Sequence, residues 1–170
     1  IDLVVEGGTL EIDQYGTLLS TQLCLTNPKR NGDKPMVSYQ KDFERTLGAK
    51  HSIILQNGHL EGDDTDGHID TLVRFTPDNG LVIQSAFNRP DDSHFQGLAA
   101  LVKECQQVLP THQIYELPLP LIVNAQGQRL PASYANFLIS NQHVLCPIYQ
   151  QKEDTLALQV MQNAYPKFTI

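Results

Sequence analysis

The residues best suited to chemistry lie in one acidic loop, which covers residues 60–70. Its sequence is Leu-Glu-Gly-Asp-Asp-Thr-Asp-Gly-His-Ile-Asp, which places four carboxylates and one histidine between Asp63 and Asp70. Crowded carboxylates repel one another unless a positive charge lies among them. The loop therefore predicts a site for either a metal ion or a positively charged substrate.

Calcium and zinc sites match this loop poorly. An EF-hand register that puts Gly67 at the sixth position leaves Gly62 first and Val73 twelfth, where essential carboxylates belong. His68 and Asp70 supply only two zinc ligands, whereas catalytic zinc takes three protein ligands. The other histidines lack ligand spacing. The sequence predicts no metal here, and a solvated acidic turn stays open as an alternative.

A guanidinium or ammonium group suits the loop better. Paired carboxylates accept the N–H donors of a planar guanidinium, and a nearby imidazole can move protons during a reaction. His68 and Asp70 lie two residues apart, so on an extended segment they share one face. A second acidic motif, Glu6-Gly7-Gly8, follows an apolar segment, and its glycines allow the backbone to approach a ligand closely. An incidental turn is the simpler alternative for this second motif.

The elements that must position these residues alternate between strand pairs and helices. The order strand, turn, strand, helix, strand recurs about three times, which predicts an α/β chain. The predicted helices cover residues 37–47, 95–108 and 155–164. The predicted strands cover residues 9–12, 17–20, 52–55, 71–75, 81–84, 113–117, 136–140, 144–147 and 168–170.

Composition narrows the class of protein. The chain has 170 residues, 41% hydrophobic content and a net charge of -7, which predicts one domain with a core of its own. The sequence contains no cluster of Lys and Arg of the kind that binds nucleic acid. It also contains no apolar run long enough for a membrane span. Cys24, Cys105 and Cys146 are odd in number and widely spaced, which predicts reduced thiols packed in the core of a cytoplasmic protein.

Four segments of the chain resemble the agmatine deiminase family, the bacterial peptidylarginine-deiminase-like branch of the guanidine-modifying enzymes. They occur in the family's order and spacing and together extend across essentially the whole chain. The resemblance implies a five-bladed α/β propeller (pentein) built from ββαβ modules, of which residues 1–170 would form a single partial domain of two to three modules. The four segments are residues 5–13, 24–31, 60–70 and 130–137.

The resemblance implies a hydrolase that converts the guanidinium of agmatine to a ureido group and releases ammonia. A cysteine thiolate attacks the guanidinium carbon, water breaks the covalent intermediate, and no metal or organic cofactor takes part. His68 would be the general acid/base, and Asp70 would clamp the guanidinium. Glu6 would contact the substrate or orient His68. Asp64 would help to shape the pocket, and Asn136 would be a weaker binding residue.

The resemblance also implies that the chain is one part of a larger enzyme. The family's nucleophilic cysteine lies in a Gly-rich segment near the C-terminus, and a further Asp precedes the Glu-Gly-Gly motif. Neither falls within these residues, and none of the three cysteines replaces the nucleophile. We therefore expect no turnover of agmatine by the 170 residues alone. Open strand edges in a partial propeller would favour association, so a homo-oligomer is expected.

Three alternatives to an agmatine deiminase remain at this point. Peptidylarginine and arginine share the guanidinium with agmatine and differ at the far end of the molecule. Free arginine would need a cation to bind its carboxylate, and Arg30 is the candidate. The third alternative is a non-catalytic remnant that keeps a cation-binding pocket. For agmatine, the product would be N-carbamoylputrescine, on a route to putrescine.

Overall fold

Two complete ββαβ modules and part of a third make up the chain. The computed structural model describes residues 3–31 and 34–170. Within these residues the three sheets contain three, three and two strands. The repeated order of strands and helices confirms the α/β class and the modular plan that the sequence predicts.

The first module begins with a tight hairpin. Strand β1 (Glu11–Ile12) pairs antiparallel with β2 (Thr17–Thr21), and the Asp13 carboxylate closes the turn by accepting the N–H groups of Tyr15 and Thr17. After the short helix α1 (Gln22–Leu25), helix α2 leads to strand β3, which pairs parallel with β2. Helix α2 spans Met36–Leu47, ends at Gly48 with a φ of 70°, and is followed by β3 at His51–Leu55.

The second module repeats this plan. Strands β4 (Val73–Thr76) and β5 (Gly80–Gln84) pair antiparallel, and β6 (Gln113–Leu117) pairs parallel with β5. Helix α3 (Phe95–Val108) connects β5 to β6, and its buried side chains recur at helical spacing, as the sequence predicts. These buried side chains are Leu98, Leu101, Val102 and Cys105.

The third module is incomplete. Strands β7 (Leu138–Ser140) and β8 (His143–Leu145) form a hairpin, and helix α4 (Glu153–Ala164) follows. The strand predicted at 168–170 is represented by one parallel bridge, which joins Thr169 to β8.

Several predicted bounds are wrong, and local hydrogen bonds explain two of them. Strand β1 is shorter than predicted because a 3-10 turn occupies Gly7–Thr9, where Thr9 and Glu6 cap each other. A second 3-10 turn, at Ile69–Thr71, delays the start of β4. Helix α4 begins two residues earlier than predicted, and the two strands of the third hairpin are shorter.

Strand β5 is buried on both faces and lies between two apolar clusters. Leu81 and Ile83 belong to the largest apolar cluster, which joins the first module to α3. Val82, on the opposite face, belongs to the cluster around α4 and the third hairpin. None of the described helices combines the length and the apolar character that a membrane crossing needs.

Glu11 and Arg74 connect all three modules beside a central cavity. The Glu11 carboxylate accepts from Arg74 Nε at 2.8 Å and from the Phe75 N–H at 3.0 Å. Arg74 Nη1 donates to the Phe137 carbonyl at 2.9 Å, and the guanidinium lies 4.6 Å from the centroid of the Phe137 ring. Burial raises the pKa of Glu11, whereas the charge of Arg74 acts in the opposite direction.

Replacing Arg74 by Met should therefore destabilise the fold strongly. The Glu11 carboxylate would stay largely buried without its cation, and a broken buried pair costs about 3–5 kcal/mol. The free energy of unfolding in urea measures the effect. Arg45→Met is the control, because Arg45 is 66% exposed in its pair with Asp42 and such surface pairs contribute about 0–1 kcal/mol. Equal losses in the two variants would contradict the connecting function of Arg74.

Candidate active site

Glu6 and His68 meet at one side of the site, although 62 residues separate them in the chain. Each residue immediately precedes a 3-10 turn, so both side chains project from places where the backbone changes direction. His68 Nε2 lies 2.9 Å from Glu6 Oε2. Because the Glu6 carboxylate can only accept, Nε2 carries the hydrogen and the other ring nitrogen, Nδ1, points toward Gly8 and Asp70.

Arg30 fixes Glu6 to the acidic loop. Its Nε donates to both carboxylate oxygens of Glu6, at 2.9 and 2.8 Å, and its Nη1 donates to Asp66 at 2.9 Å. The Arg30 side chain is only 11% exposed. The hydrogen bonds from Arg30 and, second, from His68 lower the pKa of Glu6 to about 2, so Glu6 is a carboxylate at neutral pH. The arrangement leaves Glu6 suited to orienting His68.

Asp63 organises the acidic loop from within. Its carboxylate accepts the N–H groups of Thr65 at 2.9 Å and of Gly67 at 2.8 Å. Thr21 at the end of β2 donates to the Gly67 carbonyl at 2.6 Å and so joins the loop to the first sheet. The loop is therefore an ordered turn, and its conformation sets the direction in which His68 leaves the backbone.

Asp70 carries a buried carboxylate oxygen that lacks a partner among the described residues. Oδ1 is inaccessible to solvent and makes no hydrogen bond there. Burial raises the pKa of Asp70, and the nearby His68 and Arg74 oppose this rise. Asp70 and Asn136 line one cavity of about 570 Å³. A buried acceptor without a donor is rare in folded proteins, so the Asp70 carboxylate has capacity for a further hydrogen bond.

His68 and Asp70 lie side by side, but not for the reason that the sequence suggests. The prediction of an extended segment is wrong, because the 3-10 turn at Ile69–Thr71 follows His68 directly. What brings the two side chains together is their common packing on Gly8. A Cβ atom at Gly8 would clash with His68 Nδ1 and lie 2.7 and 2.9 Å from the Asp70 oxygens. No side chain larger than hydrogen fits there without displacing one of them.

The two remaining predicted site residues, Asn136 and Asp64, differ in their position relative to the cavity. Asn136 lines the Asp70 cavity, whereas Asp64 is exposed and is not among the residues that line it. The functions assigned to Glu6, His68, Asp70, Asp64 and Asn136 remain predictions.

Cys24 lies beneath Glu6 and His68, which the sequence analysis did not foresee. Its thiol is fully buried and lies 3.4 Å from the Thr9 hydroxyl. The sulfur, a Glu6 oxygen and a His68 nitrogen all lie within 4.8 Å of one another. Burial raises the pKa of the Cys24 thiol, and it raises the pKa of Cys105 to about 12 and that of Cys146 to about 11. None of the three is thus activated as a thiolate nucleophile.

Asp92 and His94 hold the start of the acidic loop, and the sequence analysis also missed them. The Glu61 N–H donates to His94 Nε2 at 2.8 Å, so His94 Nδ1 carries the hydrogen and donates to Asp92 at 2.8 Å. Arg129 Nη1 donates to the other Asp92 oxygen at 2.7 Å. The spacing Asp-Ser-His was the only sequence signal, and it is shared by many surface segments.

The chain belongs to a family of guanidine-modifying enzymes. The family model described as Porphyromonas-type peptidyl-arginine deiminase matches residues 1–170. This result confirms the resemblance on which the sequence analysis rests.

Individual relatives and solved structures are similar to this chain over nearly its whole length. The "Putative agmatine deiminase" of Vibrio parahaemolyticus is 34% identical and aligns with 98% of this chain and 52% of its own length. A structure of a Campylobacter jejuni agmatine deiminase variant with substrate bound is 31% identical, with a TM-score of 0.92 over 100% of this chain and 50% of that one. The structure of the "Putative Arginine Deiminase" of Porphyromonas gingivalis is 38% identical, with a TM-score of 0.92 over 99% of this chain and 51% of that one.

These comparisons confirm the deiminase fold. The chain spans about half the length of the curated relatives that it matches.

Replacing Gly8 by Ala should disrupt the site while leaving the fold in place. The new methyl group would push His68 and Asp70 apart, and overpacking of this kind costs about 1–3 kcal/mol. Gly7→Ala is a matched control, because a Cβ atom at Gly7 meets nothing within 4 Å. The histidine ring resonances in NMR spectra and the calorimetric affinity for agmatine should change in the first variant only. Identical behaviour of the two variants would show that Gly8 does not set the site.

Replacing Asp92 by Asn should remove an acid-sensitive contribution to stability. Burial alone would raise the pKa of Asp92, but hydrogen bonds from the His94 N–H, Arg129 and the His94 ring outweigh it and lower the pKa from 3.8 to about 2. A carboxylate with a lowered pKa stabilises the fold above its ordinary pKa, and the contribution is lost as pH falls from about 4 to about 2.

Urea unfolding over this pH range measures the contribution. The difference between the original chain and Asp92→Asn should be about 2 kcal/mol at pH 7 and should shrink toward pH 2. Asp91→Asn is the control, because the neighbouring Asp91 is exposed. A difference that stays constant from pH 7 to pH 2 would exclude this origin.

Proposed function

We propose that this chain is the guanidinium-binding and proton-transferring half of an enzyme that hydrolyses agmatine to N-carbamoylputrescine and ammonia. The observation that carries the proposal is Asp70, which lines a cavity, lies beside His68 and keeps one buried oxygen for which the described residues supply no donor. Family membership supports the reaction class, and several relatives bear the name agmatine deiminase.

In this proposal each residue near Gly8 has a separate task. Asp70 accepts N–H groups of the guanidinium. A cysteine thiolate from outside this chain forms a bond to the guanidinium carbon. His68 donates a proton to the leaving nitrogen, which departs as ammonia, and then takes a proton from the attacking water as the thiolate leaves. Glu6 stays ionised and holds the His68 ring in place.

The rest of the cavity suits the tetramethylene chain of agmatine. Apolar side chains line it beyond Asp70, and Arg74 in its wall is neutralised by Glu11. A substrate with a positive charge therefore meets an acidic residue at one end and apolar surface along its length. The apolar lining residues are Leu10, Phe137, Leu138, Leu145 and Pro147.

The contacts of Arg30 favour agmatine over free arginine. An arginine substrate needs a cation for its carboxylate, and Arg30 was the candidate. Arg30 instead binds Glu6 and Asp66 and is 11% exposed. Releasing it would cost the site two charge-assisted hydrogen-bonded pairs.

We further propose that the enzyme acts in the cytoplasm on a route to putrescine. All three cysteines are free, which fits a reducing compartment. Two exposed apolar side chains outside the Asp70 cavity, Ile139 in β7 and Ile148 just after β8, would support the expected association between copies.

A hybrid enzyme tests the function. In the hybrid, this chain replaces the matching half of the Campylobacter jejuni agmatine deiminase, and ammonia release is measured with agmatine and with arginine. We expect turnover of agmatine in preference to arginine, and a loss of about 10²–10⁴-fold on His68→Ala. Lys41→Ala, on the exposed side of α2, is the control. Unchanged activity in the His68 variant, or a preference for arginine, would reject the proposal.

Calorimetry on the 170-residue chain separates binding from turnover. Agmatine should bind, and Asp70→Asn should weaken that binding at least about tenfold because a charged acceptor is lost. A chain that folds but gives no heat with agmatine would show that Asp70 does not bind the guanidinium.

A further inference from the structure

Three side chains that could hold a metal ion converge at the site, although the sequence analysis predicted none. The acidic loop supplies only His68, and Glu6 and Cys24 come from separate segments of the first module. The sulfur of Cys24, a carboxylate oxygen of Glu6 and a ring nitrogen of His68 lie within 4.8 Å of one another. We propose that Glu6, Cys24 and His68 form a binding site for a zinc-like divalent ion, which competes with the guanidinium substrate.

The donor set selects the kind of ion. One thiol, one imidazole and one carboxylate are ligands of Zn²⁺, whereas Ca²⁺ and Mg²⁺ prefer oxygen alone. In a tetrahedral zinc site the ligand atoms stand about 3.5 Å apart, as bond lengths of about 2.0–2.3 Å require. The three atoms now lie within 4.8 Å of one another, so metal binding would have to shorten their separations by no more than about 1.3 Å. Three protein ligands leave a fourth position for water.

The charges around the three residues are compatible with a divalent cation. Glu6 and Asp66 are paired with Arg30, so this group carries one net negative charge. When the metal binds, the S–H bond of Cys24 breaks, a metal–sulfur bond forms and the proton passes to solvent. His68 Nε2 likewise gives up its hydrogen to solvent as the metal–nitrogen bond forms, and Nδ1 takes up a proton, so the imidazole stays neutral. The thiolate adds a second negative charge, and the metal neutralises both. Arg30, Glu6 and Asp66 are the charged groups that act on the Cys24 thiol.

Arg30 need not leave when the ion binds. Its Nε contacts Glu6 Oε1 at 2.9 Å as well as Oε2 at 2.8 Å. The ion would take Oε2, which His68 now shares, and Arg30 would keep Oε1. Glu6 is 45% exposed and the His68 side chain is 13% exposed, so the ion can enter from the Glu6 side while Cys24 closes the site from below.

Binding of the ion would stop the proposed chemistry. The metal would replace the hydrogen bond between Glu6 and His68 and fix the imidazole as a ligand. Its positive charge would also stand beside Asp70, where the guanidinium has to bind. This inhibitory effect rests on the proposed function, whereas the metal binding itself does not.

Cobalt is the spectroscopic probe of the site. The chain is stripped of metal with a chelator and titrated with Co²⁺, and absorption is recorded in the near-ultraviolet and visible regions. We expect one equivalent to bind with a thiolate-to-cobalt charge-transfer band, and Zn²⁺ to remove the band by displacement. Absence of the charge-transfer band in the folded chain would overturn the proposal.

Two variants locate the ion. Cys24→Ser should abolish the charge-transfer band and weaken cobalt binding at least about tenfold, while Cys105→Ser, an equally buried cysteine in α3, should keep both. Circular dichroism confirms that each variant is folded. If Cys24→Ser does not fold, His68→Gln decides, and it should weaken binding at least about tenfold. A band that survives in folded Cys24→Ser or is unaffected in His68→Gln would place the metal elsewhere and overturn the proposal.

Competition with agmatine tests the inhibitory effect. The apparent affinity for agmatine should fall at least about tenfold when Zn²⁺ saturates the site. Equal agmatine binding with and without Zn²⁺ would overturn competition. Failure of agmatine to bind the metal-free chain would reject the proposed function, and the cobalt spectra would still decide on the metal site.

Discussion

The neutralisation of crowded carboxylates by two arginines is the interaction on which the site depends. Arg30 joins Glu6 to Asp66, and Arg74 joins Glu11 to the third module. Each arginine takes acids from segments that are far apart in the chain. The carboxylates would otherwise repel one another, but through the arginines they hold the segments together. The contacts of Arg74 with Glu11 and Phe137 also join the modules in the wall of the cavity.

This distribution of charge explains why Asp70 is the residue left for a ligand. Asp63 is satisfied by N–H groups of its own loop, and Asp66 by Arg30 and Asn27. Asp70 keeps one buried oxygen without a partner among the described residues. Asp63 and Asp66 of the loop are thus satisfied within the protein, whereas Asp70 keeps an acceptor whose hydrogen bonds a cationic substrate can complete.

The sequence predicted local features well and long-range contacts poorly. Helix α2 ends at Gly48 as predicted, because a glycine at a φ of 70° terminates a helix without strain. The helical spacing of buried residues in α3 was likewise readable from the chain. The motif around Asp63–Asp70 identified the family because its length makes a chance match improbable. The contacts of Cys24 with Thr9, of Arg30 with Glu6 and of His94 with Glu61 were not readable, because these partners lie 15, 24 and 33 residues away in the chain.

The closeness of His68 and Asp70 shows why a correct site can follow from an incorrect structural reason. Residues i and i+2 share a face on a strand, but here His68 precedes a 3-10 turn and Asp70 lies inside it, ahead of β4. They converge because both pack on Gly8, whose missing side chain leaves room for the His68 ring and the Asp70 carboxylate together. The Glu-Gly-Gly segment and the acidic loop are thus one structural unit. Glu6 orients the imidazole from one side, and Gly8 admits it to the carboxylate on the other. Neither segment could form the site alone, since the space that Gly8 leaves is filled by His68 and Asp70 of the acidic loop.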